Sequence, residues 1–295
     1  MDRSNVWRRV RGGQGLVAVL LLISLLFNTA SAALAQGKPN VFGLTNANQL
    51  VRFEENRPDR ILAQVALTGL AGGEQMLGID FRPATGQLFG VSSASQLYTI
   101  DTASGAATKV GSVFVIPLNF SSEIGFDFNP VVDRIRIVTD NGQNLRANPD
   151  TGAIADNDPN TAGVQPDGPL AYAGTDRNAG RQPNVVGAAY INNFAGTTTT
   201  ELYGIDSDLD ILATQNPPNA GTLNTVGGLR VDASDVVGFD IFTDQDGNNA
   251  RAIISQGSDT KFYTVDLTNG RARLKSKGTI GGGGVIIRDI AITLM

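Results

Sequence analysis

Beyond residue 40 the chain reads as short apolar runs, each closed by a turn signal. The clearest stretch is residues 78–111, GIDFRPATGQLFGVSSASQLYTIDTASGAATKVG. It predicts four strands: GIDF, QLFGVS, QLYTID and AATKVG, with Pro-Ala-Thr-Gly after the first and Asp-Thr-Ala-Ser-Gly after the third. Gly, Pro, Asp and Ser at these intervals, between β-branched and aromatic runs, punctuate antiparallel hairpins.

The phrase returns. Residues 125–154 carry GFDF, RIRIVT, NLRANP and a Pro-Asp-Thr-Gly turn, and a long polar loop then leads to LAYAG (170–174), a candidate fourth strand for that unit. A further copy runs from VGAAY through ELYGID and LDILAT to TLNTVG, and another from VGFDIF through RAIIS and KFYTVD to ARLKSKG. Near the start, VFGLT, NQLVRFEE and RILAQVALTG match the second, third and fourth strands only. The missing first strand is supplied by IRDIAI (287–292) at the other end. Repeat starts then fall at Gly78, Gly125, Gly187, Gly238 and Arg288, spaced 47, 62, 51 and 50 residues apart.

Five four-stranded antiparallel units of this period predict an all-β fold, a five-bladed β-propeller. A blade shared by the two ends fastens the ring by backbone hydrogen bonds, which neither a linear solenoid nor a pair of sandwiches requires. GFDFNPVVDRIRIVTDNGQNLRANPDTGAI, DGPLAYAGTDRNAG and PNVVGAAYINN resemble the secreted bacterial proteins grouped as domain-of-unknown-function family 4394. That resemblance implies secretion and repeated sheets, and adds no catalytic residue.

The first 35 residues predict a cleaved signal peptide: Arg8, Arg9 and Arg11, then LVAVLLLISLLF, then small residues fitting cleavage after Ala32 or Ala35. The apolar run is shorter than the roughly 20 residues of a membrane span. Residues 36–295 are then a single domain, periplasmic or extracellular, with no membrane attachment after cleavage. Removing the leader takes four Arg and one Asp, so 23 basic against 28 acidic residues becomes 19 against 27. An acidic chain without a basic run gives no footprint for nucleic acid. A monomer is expected.

With no Cys and no His, disulfides, thiolate nucleophiles, imidazole bases and His/Cys zinc sites are excluded. Any chemistry must run on carboxylates, Tyr, Lys, Arg or a hard cation held by oxygen. Asp80, Asp127, Asp240 and Asp289 align in the first strand of four units, where the remaining unit has Ala189. Inner strands line a propeller's channel, so these carboxylates are the candidate ligand-binding set, for a cation or a polyol. The plainer alternative is that each one satisfies amides at its own turn. Asp156, Asp158, Asn160 and Asp167 fall at positions one, three, five and twelve of a calcium-loop pattern, but Thr161 stands where that loop needs Gly. DQDGNN (244–249) predicts a hairpin turn, and GTIGGGG (278–284) lacks the ending of a phosphate loop and reads as a flexible lead into the closing strand. Arg134, Arg136 and Arg146, aligned with Gln87, Phe89 and Tyr98, suggest either an anion-binding face or ion pairs with nearby Asp. Tyr98, Tyr172, Tyr190, Tyr203 and Tyr263 sit in strand runs and are expected in the packing.

Three functions fit. The first is a non-catalytic binding module for an extracellular glycan, protein or cation. The second is a carboxylate enzyme, such as a glycoside hydrolase or lyase, and the third is a surface protein stiffened by calcium.

Overall fold

The computed structural model describes residues 39–275 and 278–294; the expected signal peptide lies outside the described residues. The first blade contains β1 (Asn40–Thr45), β2 (Gln49–Glu54) and β3 (Ala63–Ala66). The second is β4 (Met76–Phe81), β5 (Leu88–Ser92), β6 (Leu97–Ile100) and β7 (Ala107–Val110). The third is β8 (Ile124–Asn129), β9 (Arg134–Thr139) and β10 (Asn144–Ala147). After the short β11 (Ala171–Tyr172), the fourth comprises β12 (Val185–Tyr190), β13 (Leu202–Asp206), β14 (Ile211–Gln215) and β15 (Thr222–Gly228). The fifth is β16 (Val237–Asp244), β17 (Gly247–Gln256), β18 (Asp259–Val265) and β19 (Ala272–Leu274).

The last strand, β20 (Ile287–Ile292), pairs antiparallel with β1, from Val41 opposite Ile292 to Leu44 opposite Asp289, and completes the first blade. Inner strands β4, β8, β12, β16 and β20 pack each against the next, and β20 returns to β4. The ring is closed, and the fold is a five-bladed β-propeller.

The core lies between blades. Five apolar clusters fill the five interfaces: Phe42 and Leu44 meet Ile79 and Phe81, Phe89 and Val91 meet Phe126 and Phe128, and so on to Ile290 against Phe242 and Phe262. Each blade is too thin to bury its own faces, so a strand face is buried by the neighbouring sheet. The third–fourth interface is the exception. There the third blade supplies one side chain, Val138, to the apolar cluster. The five Tyr residues are buried, as expected.

Two expectations need correction. LAYAG does not complete the third blade. Ala171 and Tyr172 instead pair in parallel with Thr222 and Leu223, on the outer edge of the fourth blade. The third blade ends with a single bridge, Ala147 opposite Ile154. The long insert reaches across to the next sheet because Leu170 and Tyr172 are buried there, and the Tyr172 hydroxyl donates to Asp206 at 2.6 Å. GTIGGGG, expected as a flexible lead, instead contains one 3-10 turn, Ile280–Gly282, with Ile280 fully buried. The hairpin expected at 244–249 forms, with Asp244 opposite Gly247.

Candidate functional site

The inner strands approach one another closely at the axis, and the Gly-x-Asp pattern of the repeat explains how. A Cβ on Gly125 would lie 2.6 Å from the Ala188 Cβ and 2.7 Å from the Ala188 nitrogen, so only glycine fits. Two residues on, on the same strand face, stands the aspartate. Asp80, Asp127 and Asp240 each offer one carboxylate oxygen to a common point, these atoms lying within 4.8 Å of one another. All three are at most 4 % exposed.

Each carboxylate also reaches across to the next blade. The Phe128 N–H donates to Asp80 (2.9 Å), the Tyr190 N–H to Asp127 (3.0 Å), and the Ile292 N–H to Asp240 (2.6 Å). The alternative weighed from sequence, a carboxylate bonding its own turn, is thus only half of the arrangement. The Phe81 N–H does donate to its neighbour Asp80 (2.7 Å), but the cross-blade bonds tie sheet to sheet. Among the described residues one buried oxygen is left over: Asp240 Oδ1 makes no well-formed hydrogen bond, although the Ile241 N–H beside it favours the ionised form.

Asp289 does not occupy the equivalent position. Opposite Phe42, Phe89 and Tyr203, which are equivalent in their second strands, stand Ala291, Asp80 and Ala189. Ala291 therefore holds the aspartate position in the closing strand, and Asp289 takes the place of the glycine two residues earlier. It is still at the hub, 6 % exposed, accepting the Ile79 N–H of the second blade (2.8 Å) and the Ile290 N–H (2.9 Å). Aligning on the only acidic residue of the strand is what misleads; the bulge at Leu44/Thr45 recurs at Met76/Gly78 and Val185/Gly187, which confirms that Asp289 matches Gly78 and Gly187.

Electrostatics at the hub are severe. Burial pushes the Asp80 and Asp127 carboxyls well above the usual range, and the charge of neighbouring aspartates pushes further. Burial likewise raises Asp289 well above its ordinary value, against the two amides that favour its charge. Asp240 is raised to about 7 by burial, opposed by the Ile292 and Ile241 amides.

The calcium-loop pattern is not assembled. Asp156 accepts the Asp158 and Gln165 amides (3.1 and 3.0 Å), and Asp158 accepts the Asn160 amide and the Thr161 hydroxyl (3.1 and 2.6 Å), all in an exposed turn. Asp167 is elsewhere, its side chain fully buried between two arginines. Arg136 Nη1 donates to it at 2.6 Å, and Arg146 donates at 2.8 and 2.7 Å. Arg136 and Arg146 lie directly opposite on β9 and β10, a placement that repels unless an anion intervenes. The strand register makes Arg146 the equivalent of Thr99 in the second blade, one residue away from the Tyr98 alignment, and so puts it beside Arg136. With Arg134, Tyr190 and Asn219 they line a cavity of about 400 Å³ between the third and fourth blades. Sequence reasoning named the arginines but missed Asn219, which comes from the β14–β15 connection of the neighbouring blade.

A family described as a domain of unknown function (DUF4394) matches residues 49–291. The chain belongs to that family. No curated protein matches this DUF4394 chain. Among solved structures it is similar to the Dos1 propeller (13% identity, TM-score 0.41), covering 80% of this chain and 57% of that one. An auxiliary nutrient binding protein from Bacteroides ovatus ATCC 8483 shows 14% identity and a TM-score of 0.41, covering 78% and 57%. The dihydro-heme d1 dehydrogenase NirN shows 10% identity and a TM-score of 0.38, covering 82% and 44%. This chain thus spans little more than half the length of the first two and less of the third, and the likenesses carry no function across.

Proposed function

We propose that this DUF4394 chain is a secreted, non-catalytic binding module that holds a hard divalent cation, calcium foremost, on its propeller axis. The observation that carries the reading is the convergence of Asp80, Asp127 and Asp240 within 4.8 Å. Oxygens bound to one calcium ion at 2.3–2.6 Å are at most about 5 Å apart, so the triangle is the right size. Asp240 Oδ1, on a residue 2 % exposed, makes no well-formed hydrogen bond among the described residues and supplies a buried acceptor. An acceptor-only, all-oxygen donor set suits calcium and not a soft metal.

Two features argue against the enzyme reading. Paired glycosidase carboxylates stand roughly 5–5.5 Å apart or more, flanking room for a sugar and often a water. These are buried, with no room between them shown for a sugar, and bonded to backbone amides of adjoining blades. They are built to be held still.

The test is calorimetric titration of chelator-treated protein with calcium chloride, alongside the D127N and D240N variants. One site per chain is expected, with a dissociation constant of about 10⁻⁴–10⁻³ M or tighter, in the range of extracellular modules. Both variants are expected to lose most of that affinity. An absence of binding heat in the unaltered protein, or equal affinity in all three, would overturn the reading.

A further inference from the structure

We propose that the cleft between the third and fourth blades binds a small organic acid, of the size of one uronic-acid residue, through its carboxylate. This goes beyond the axial cation and shares no residue with it. Three arginines meet there, and one carboxylate, Asp167, answers two of them. Arg136 is spent: it is 2 % exposed and donates to Asp167, Asn144, Asn219 and the Tyr190 hydroxyl. Arg146 is not, since Asp167 engages its Nε and Nη2, leaving Nη1 outside the pair.

Arg134 is the third cation of the cleft. It forms no ion pair among the described residues, and only its Nη1 is engaged, by the Asp133 carbonyl at 2.9 Å. The carboxylates near it, Asp133 and Asp150, both pair with Arg82 of the second blade, and the charge of Arg134 also helps hold the Asp150 carboxyl low. Arg82, Arg134, Arg136 and Arg146 thus stand against Asp133, Asp150 and Asp167, an excess of one positive charge, and three of these arginines line a cavity of about 400 Å³. That size lies within the roughly 300–1,000 Å³ of small-molecule sites. A guanidinium presents a planar fork of donors matched to a carboxylate. Asn129 and Asn219 add polar groups for hydroxyls, and Val132 and Pro218 give the apolar wall a sugar ring needs. Asp167 holds Arg136 and Arg146 in place, so the site is set before ligand arrives.

The experiment is calorimetric titration with sodium D-glucuronate, with glucose and inorganic phosphate as parallel arms, in chelator and again in calcium. Glucuronate is expected to bind, glucose not, and phosphate at least about tenfold more weakly, because it lacks the ring that fills the cavity. R134Q, at a half-buried strand end, is expected to weaken glucuronate about tenfold or more, the cost of a charge-assisted pair. V132W, at a 54 % exposed position, is expected to block the cleft without touching a charge. Melting curves of both variants verify that they fold. The proposal is overturned by no glucuronate binding up to about 10 mM, a concentration that would reveal even a weak site. It is equally overturned by unchanged affinity in R134Q and V132W, or by phosphate binding as tightly as glucuronate. Glucuronate binding in chelator would stand even if the axial cation reading failed.

Discussion

Stability of the cation-free protein should fall as pH rises from about 4 to 7, the reverse of the usual behaviour of carboxylates. A carboxyl whose folded pKa is raised contributes stability that is fully present below its unfolded value and lost as pH climbs through the folded one. Moving Asp240 from 3.8 to about 7 makes the ionised hub about 4 kcal/mol less stable than the protonated one, at about 1.4 kcal/mol per tenfold. Asp80, Asp127, Asp289 and Glu123 are raised too and act in the same direction. Glu55, Glu74 and Asp176 are lowered, so their contributions disappear only below the ordinary carboxylate range. With no His and no Cys in the chain, few other groups titrate between pH 5 and 8.

For a domain of this size, about 4 kcal/mol corresponds to a change in melting temperature of about 8–16 °C. The assay is a set of thermal melts from pH 4 to 8 in chelator, repeated in calcium chloride. In chelator the melting temperature should drop towards pH 8, and calcium should restore it there, since a ligand at a hundred times its dissociation constant adds about 2.7 kcal/mol. D240N should flatten the slope by removing one ionisation. A melting temperature constant from pH 5 to 8 in chelator, or a D240N profile parallel to the parent, would refute the electrostatic account.

Truncation after Gly284 removes β20 and with it Ile287, Ile290 and Ile292, each at most 1 % exposed. At about 1.5–3 kcal/mol per side chain the loss is about 5–9 kcal/mol, so circular dichroism melts should show no cooperative transition; an unchanged melt would deny the closure its role. G125A should destabilise by about 1–3 kcal/mol in urea unfolding, because the added methyl meets Ala188 backbone that cannot rotate away. D167A should cost about 3–5 kcal/mol by stranding Arg136 and Arg146. Replacing the trio with the second blade's counterparts and an apolar residue (R136F, R146T, D167L) should cost little or even stabilise, while abolishing glucuronate binding.

How much of this was legible beforehand follows from what periodicity can carry. Strand existence, the five-unit count and the shared blade were readable because alternating runs and turn residues repeat, and because the two ends complement each other. The outer edge of the third blade was not: Leu170 and Tyr172 read equally well as its fourth strand, and only burial against the fourth blade decides where they lie. Asp80, Asp127 and Asp240 were recognisable as equivalent, but the same-face shift that puts Ala291 rather than Asp289 in register is invisible, since moving two residues preserves the pleat. Asp167 was misread for a different reason. A spacing that fits a calcium loop says nothing about an arginine 31 residues earlier that binds it first.

One position shows where the ring departs from its own symmetry. Opposite the hub position, which is Asp in three blades and Ala189 or Ala291 in two, the second strand carries Phe42, Phe89 and Tyr203 in three blades, and Arg136 and Arg251 in the other two. Arg251 is fully occupied by its interface: it pairs with Glu55 of the first blade, which Lys275 also engages at 2.9 Å, and its guanidinium lies over the Phe242 ring at 5.1 Å. Arg136 is likewise paired, yet it shares Asp167 with Arg146, and Arg134 beside them forms no ion pair among the described residues. An interface that only needed to be stable would do as well with aromatics, because buried ion pairs seldom exceed apolar packing in net worth. Excess charge facing a cavity is instead what recognition of an anion requires, and it occurs at the interface to which the third blade gives a single apolar side chain. The hub and this cleft thus divide the work, the one holding five sheets in register and the other leaving donors unspent.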